Sequence, residues 1–458
     1  MENPILTVES CRRAVAFALV FFASCAGLPL HDRGCTRNGM NYMGQTSASF
    51  QQQVQGLDES ISLSEVISAL SFAIDLTEGA VHGHALRSCL LGVRIAEEAK
   101  LTSEEKSSLY YALLLKDVGN EEMIGLRCDR GASIVSKLGM GPMAAEAVRS
   151  LEEHWDGSGY PKRARGKRIP LLARVCAVAQ HLDVFSMGRS PSVAIETLEQ
   201  WSGTWFDPEL VRAALSLDQR GALWTYCRAS DSHEVTRAAV LDLDPRRKQR
   251  LDDRQIDRIC EAFADVVDSK SHFTFRHSMG VAELAKGIAK NLGLPADRVR
   301  LVRRAALLHD IGKLSVANTI LDKKTRLTEA EWKVVERHPG LTRRILEQIG
   351  PFCEIAIVAG EHHEKLDGSG YPNRLMAPDL SIEARIIAVA DVYGALSEDR
   401  PYRAGLRYEE ILPIMRVLAP RKLDGDCVNA LIALIGSERE VAYEPLGIPI
   451  EQLARVCA

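Results

Sequence analysis

The chain has 458 residues, of which 46% are hydrophobic and 26% charged, proportions of an ordinary globular protein with room for two or three cores. A formal net charge of −4 gives no support to binding of a nucleic-acid polymer, and leaves only a local basic patch open. The 11 cysteines stand singly, without a CxxC pair, which argues against zinc knuckles and disulfide frameworks and for reduced thiols in a cytoplasmic protein.

In chain order, the first feature is a leader, residues 1–50. Arg12-Arg13 precede an apolar run over 14–30 that is short for a membrane span. It reads either as a signal or membrane segment or as sequence upstream of a true start at Met40 or Met43. Residues 51–227 then form a first folded unit, and 228–255, rich in Asp and Arg, a charged and solvated linker. The second unit occupies 256–440, followed by a tail, 441–458. Within it, Val281, Leu284, Ala285, Ile288, Ala289 and Leu292 recur at the spacing of a buried helical face, and Gly293 and Pro295 close that helix. The next helix runs through Val299–Val302 into His309-Asp310. Thr328 followed three residues later by Glu331 is a capping box, expected to open the helix that carries His338. Strand-type alternation is scarce, so the fold class is all-α, one helical bundle per unit.

The two units repeat one plan. "DGSGYP" occurs at 156–161 and 367–372, an offset of 211 (367 − 156), and "ARVCAVAQ" at 173–180 answers "ARIIAVAD" at 384–391 with the same offset. "ALLLKDVGN" at 112–120 matches "ALLHDIGK" at 306–313 with an offset of 193 (309 − 116), which His84 and His277 share. Four landmarks in one order indicate a tandem duplication, with a segment lost from the first copy between its second and third landmarks.

The second copy collects seven metal-capable side chains: His277, His309, Asp310, His338, His362, His363 and Asp391. Helical bundles build metal sites from inward-facing side chains on several helices. Imidazole and carboxylate without thiolate suit iron or manganese better than a structural zinc. If His309-Asp310 and His362-His363 are helical, neighbours diverge by about 100°, which favours two ions over one.

This pattern, His277…His309-Asp310…Lys313…His338…His362-His363…Asp367-Gly-Ser-Gly370-Tyr371-Pro372…Asp391, resembles the HD-GYP phosphodiesterases of the HD metallohydrolase superfamily, over about 270–405. The resemblance implies two tandem HD-type bundles, the second hydrolysing the bacterial messenger cyclic di-GMP. It implies that His277, His309, Asp310 and Asp391 hold one divalent metal and His338, His362 and His363 the other, with Asp310 bridging. It makes Lys313 a contact of the scissile phosphate or bridging water, and Gly370, Tyr371, Pro372, Arg400 and Arg403 substrate-side residues. Phe273 stands where some relatives carry a glutamate for a third metal, so two metals and mainly the linear product are expected. 3′,3′-Cyclic GMP-AMP is the alternative substrate, GGDEF-domain proteins and a second copy of the chain are implied partners, and a non-catalytic signalling scaffold is the alternative of another class.

The first copy keeps His84 and Asp117 but has Lys116 for the histidine of the pair, Asn120 for the lysine, and Arg127 or Cys128 for His338. Leu151 and Glu152 replace the double histidine, and Gln180 replaces Asp391. A lysine at the metal position predicts a metal-free fold, read as a packing platform rather than a sensor.

Overall fold

The computed structural model describes residues 61–77, 83–119, 124–228, 230–246, 250–268, 270, 277–399 and 404–436. The leader 1–50, the tail 441–458 and the positions Phe273, Arg400 and Arg403 lie outside the described residues. The described residues form helices and turns, with no strand beyond isolated bridges, as the all-α expectation requires. None of the described helices is long and apolar enough to cross a membrane.

The first copy comprises α1 (Leu63–Thr77), α2 (His84–Glu98), α3 (Ser103–Leu115), α4 (Ile124–Lys137), α5 (Pro142–Arg149), α6 (Leu171–Gly188), α7 (Pro191–Gln200), α8 (Pro208–Gln219) and α9 (His233–Asp242). The second comprises α10 (Asp253–Asp268), α11 (His277–Asn291), α12 (Ala296–Leu308), α13 (Asn318–Leu321), α14 (Glu329–Val335), α15 (His338–Leu346), α16 (Cys353–Gly360), α17 (Ile382–Ser397), α18 (Tyr408–Leu418) and α19 (Gly425–Gly436). In each copy the helix that begins with the lone histidine packs on two others: α2 on α3 and α6, α11 on α12 and α17.

Two glycines locate the missing segment. A Cβ on Gly312 would lie 2.0 Å from the His338 carbonyl oxygen and 2.8 Å from the Thr342 nitrogen. A Cβ on Gly119 would meet the Arg127 carbonyl oxygen at 2.0 Å and the Gly131 nitrogen at 3.0 Å. The same close crossing of backbones therefore pairs Arg127, not Cys128, with His338. Only glycine allows that approach. The chain between Gly312 and His338, which holds α13 and α14, has no counterpart in the first copy.

Two expectations need correction. Residues 228–255 are not a solvated tether, because α9 lies within them and closes the first bundle. The Tyr110 hydroxyl donates to the Val240 carbonyl at 3.1 Å, and the buried Asp244 accepts from Ser64 Oγ at 2.6 Å and the Tyr111 hydroxyl at 3.1 Å. A charged residue counted as solvated is here satisfied by internal donors. The Thr328 capping box forms, with Thr328 Oγ1 accepting from the Glu331 amide, but it opens the short α14. His338 instead begins a separate helix, α15, with Pro339 in its first turn.

The copies interlock. α1 of the first packs on the 3-10 turn Ile311–Ser315 and on α15 of the second, while α10 of the second packs reciprocally on α4 of the first. Since α1 corresponds to α10 and α4 to α15, the contact has the self-complementary form of a two-fold dimer inside one chain. Arg237 ties it with Nη2 donating to the Gln348 carbonyl at 2.9 Å and Nε to Ser68 Oγ at 3.1 Å. The buried apolar side chains of both copies form one continuous cluster.

Candidate metal centre

Each sequence-predicted metal ligand is buried, and the side chains come from the ends of α11, α12, α15, α16 and the middle of α17. α12 stops at Leu308, so His309 is its cap and Asp310 lies in the turn into Ile311–Ser315. α16 stops at Gly360, and His362-His363 lie in the turn beyond it. The divergence of helical neighbours therefore does not apply. Both adjacent pairs converge on one centre, with the His362 and His363 ring centroids 4.1 Å apart.

Three imidazoles are aimed by one device. Nδ1 of His309, His338 and His362 meets the carbonyl three residues earlier, of Ala306 at 2.7 Å, Val335 at 2.7 Å and Ala359 at 2.6 Å. A proton on Nδ1 leaves the Nε2 lone pair facing inward, the tautomer a metal ligand requires. Asp310 stands between two groups. Its Oδ2 lies 3.4 Å from His309 Nε2 and 3.9 Å from His277 Nε2, and its Oδ1 lies 3.3 Å from His338 Nε2 and 3.8 Å from His362 Nε2. Asp391 Oδ1 lies 3.2 Å from His277 Nε2 and 3.7 Å from His309 Nε2, and Oδ2 lies 3.7 Å from His363 Nδ1. Lys313 Nζ donates to Asp310 Oδ2 at 2.8 Å.

His309 Nε2, Asp310 Oδ1, His363 Nε2 and Asp391 Oδ2 are buried and make no hydrogen bond. Buried polar atoms are normally satisfied, so a cluster of unsatisfied lone pairs fits a cation. The ligand atoms of His277, His309 and Asp391, and those of His338, His362 and His363, each lie within 4.8 Å of one another. The donor set holds no thiolate, which suits an ion that takes nitrogen and oxygen ligands.

Charge follows from the same packing. Burial works against ionised Asp310, but His309 and Lys313 outweigh it and hold the carboxyl well below its usual range. Asp391 is likewise held low by His277 and His309 against its own burial. Burial pushes His338 down, and His362 and His363 far down, leaving neutral imidazoles.

The GYP loop packs beside these histidines. The Tyr371 ring lies 4.8 Å from that of His363, and Gly370 is pressed onto the backbone, where a Cβ would meet Glu364 Cα at 2.5 Å. Pro372 is exposed. The loop's clamp was not foreseen from the sequence: Glu364 accepts from the amides of Asn373 at 2.6 Å and Leu375 at 3.0 Å. In the first copy Glu153 accepts from Lys162 at 2.6 Å and Ala164 at 2.8 Å. Glu153 and Glu364 share the 211 offset, a signal the repeat contained.

In the first copy cations of the chain itself replace both ligand groups. Lys116 Nζ donates to His84 Nε2 at 2.6 Å and also to Asp117, while His84 Nδ1 donates to Asp183 at 2.6 Å. Arg87 Nε donates to the same carboxylate at 2.6 Å. Arg127 Nη2 pairs with Glu152 at 2.5 Å, a guanidinium and carboxylate standing for His338 and His363.

The HD domain family matches at residues 73–210 and 261–427. The 3′3′-cGAMP-specific phosphodiesterase 3 of Vibrio cholerae serotype O1 is 35% identical over 435 residues, spanning 81% of this chain and 94% of its own length. The cyclic di-GMP phosphodiesterase response regulator RpfG of Xanthomonas campestris pv. campestris is 38% identical over 154 residues, 33% of this chain and 41% of its own length. Among solved structures, the cyclic GMP-AMP-specific phosphodiesterase V-cGAP3 of V. cholerae matches with a TM-score of 0.62 and 33% identity, across 82% of this chain and 98% of its own.

Proposed function

The chain belongs to the HD-GYP branch of the HD-domain family, and we propose that its second copy is a metal-dependent phosphodiesterase that opens a cyclic dinucleotide. The observation that carries this reading is Asp310, whose two oxygens face separate imidazole groups while Lys313 sits 2.8 Å from one of them. HD domains are metal-dependent; His277, His309, Asp310 and Asp391 would hold one ion and His338, His362 and His363 the other, iron or manganese by ligand type. Bound there, the pair would lower the pKa of a shared water and neutralise charge on the phosphate oxygens. Lys313 supplies a fixed positive charge beside the reacting phosphate. Its ammonium also keeps Asp310 ionised. Tyr371, against His363, lines the side on which a base or ribose would lie.

Cyclic di-GMP, opened mainly to its linear form, is one substrate of this class. 3′,3′-Cyclic GMP-AMP is a second reading with its own support: the relative named for it aligns across both copies, whereas the cyclic di-GMP enzyme aligns over a third of the chain. A cytoplasmic location accords with a nucleotide substrate and with free thiols at the described cysteines. Exposed Pro372 offers the surface a GGDEF-domain partner would meet.

The test is anaerobic reconstitution of the full chain with Mn2+ or Fe2+, followed by chromatography of both cyclic dinucleotides after incubation. Wild type should linearise at least one, and the His309→Ala, Asp310→Ala double variant neither. Equal behaviour of the two proteins would leave the scaffold reading standing.

A further inference from the structure

The two copies solve one positioning problem in different ways. In the first, Asp183 on α6 accepts from His84 Nδ1 at 2.6 Å and is braced by Arg87. The position that answers Asp183 at the 211 offset is Gly394 on α17, and the one that answers Arg87 at the 193 offset is Gly280. Both members of the buried ion pair are therefore glycine in the second copy. A Cβ on Gly394 would lie 3.6 Å from His277 Nδ1 and 3.1 Å from Val281 Cγ2, so position 394 still faces the ring.

The nitrogen meets another carboxylate instead. His277 Nδ1 lies 2.8 Å from Glu398 Oε2. Glu398 is four residues beyond Gly394, at the C-cap of the same helix, and residues four apart share a helix face. One extra methylene lets the glutamate reach back by the turn that separates it from the vacated position. Its counterpart in the first copy is Met187, which cannot accept in this way, so the exchange is specific to the second copy.

We propose that Glu398 is the positioning residue of the metal centre, taking over from the carboxylate that Gly394 lacks. By accepting the Nδ1 proton it holds His277 in the tautomer whose Nε2 lone pair faces Asp391, 3.2 Å away, and Asp310, 3.9 Å away. Carboxylates behind ligating histidines raise ligand basicity and fix the ring, and their loss costs about 10- to 100-fold in metal affinity or activity.

This inference rests on the proposed metal centre, and metal titration of the full-length apoprotein separates the two. Mn2+ binding is followed by electron paramagnetic resonance of the free ion. Wild type should bind Mn2+, Glu398→Ala about 10- to 100-fold more weakly, and Glu398→Gln, which keeps an acceptor without the charge, in between. Adding Gly394→Asp to Glu398→Ala should recover most of the lost affinity, which a merely structural role for Glu398 would not produce. Wild type without Mn2+ affinity would overturn the metal centre itself. Wild type that binds while Glu398→Ala binds equally well, or a loss that Gly394→Asp leaves unrepaired, would overturn the role of Glu398 alone.

Discussion

Lys116 and Asp310 show how one residue decides what surrounds the histidine–aspartate pair in each copy. In the second copy the buried carboxylate of Asp310 is surrounded by imidazole nitrogens and one lysine. In the first, the Lys116 ammonium sits on the histidine and aspartate that would have ligated an ion. Burial disfavours ionised Asp117, but Lys116 and then His84 hold its carboxyl below the usual range. Replacing Lys116 by methionine leaves that carboxylate without its partner, and breaking one side of a buried pair costs about 3–5 kcal/mol. Urea denaturation should record a loss of that size for Lys116→Met, while Mn2+ binding by the second copy persists. An unchanged urea midpoint would mean that Asp117 needs no internal cation.

At the scale of the element, the helix carrying the first histidine is anchored in both copies by a buried aspartate at the end of the helix before it. Asp75 accepts from the Gly83 amide at 2.9 Å and the Ala85 amide at 3.3 Å. Asp268 accepts from Ser278 Oγ at 2.6 Å and from its amide at 3.1 Å. Burial raises Asp75 from 3.8 to about 6, against the pull of His84 and Lys116. Since folding favours the protonated acid, its contribution is complete below pH 3.8 and is lost as pH rises through about 6. The window is worth on the order of 3 kcal/mol. Asp75→Asn removes the titration, so its stability relative to wild type should rise by that order between pH 4 and pH 7. Parallel urea curves for the two proteins across that range would refute the assignment. The GYP loop belongs to the same scale. Its glutamate clamp forms in both copies, beside the histidine cluster in the second and without it in the first.

For the whole molecule, the reciprocal packing of α1 on the Ile311–Ser315 turn and of α10 on α4 makes each copy part of the other's core. The turn so covered carries Lys313, and Ile311 and Leu314 within it are buried. A platform role for the first copy predicts that this contact matters for stability and turnover. A fragment beginning at residue 251 removes α1 and exposes apolar surface beneath that turn. It should melt below the full chain and lose most turnover of either cyclic dinucleotide, checked by calorimetry and by the chromatographic assay. A fragment that matches the full chain in both would show that the first copy is dispensable.

The duplication, the all-α class and the residues that converge on the candidate centre were legible from one sequence, because helical periodicity and a repeated spacing of histidines are local signals. The exchange of the pair's histidine for Lys116 was legible too, since that side chain carries its charge wherever the backbone goes. Tertiary structure decided the rest. The adjacent pairs His309-Asp310 and His362-His363 aim at one point because their helices end just before them, and ends are set by packing more than by propensity. Arg127 rather than Cys128 answers His338 because of a backbone crossing at Gly119. Glu398 reaches His277 across 121 positions of chain, and its counterpart in the repeat, Met187, carries no carboxylate, so nothing periodic announced it. Spacing along the chain names the groups that can do chemistry. Which of them touch, and which carboxylate holds which ring, depends on contacts that exist only once helices from distant segments are packed.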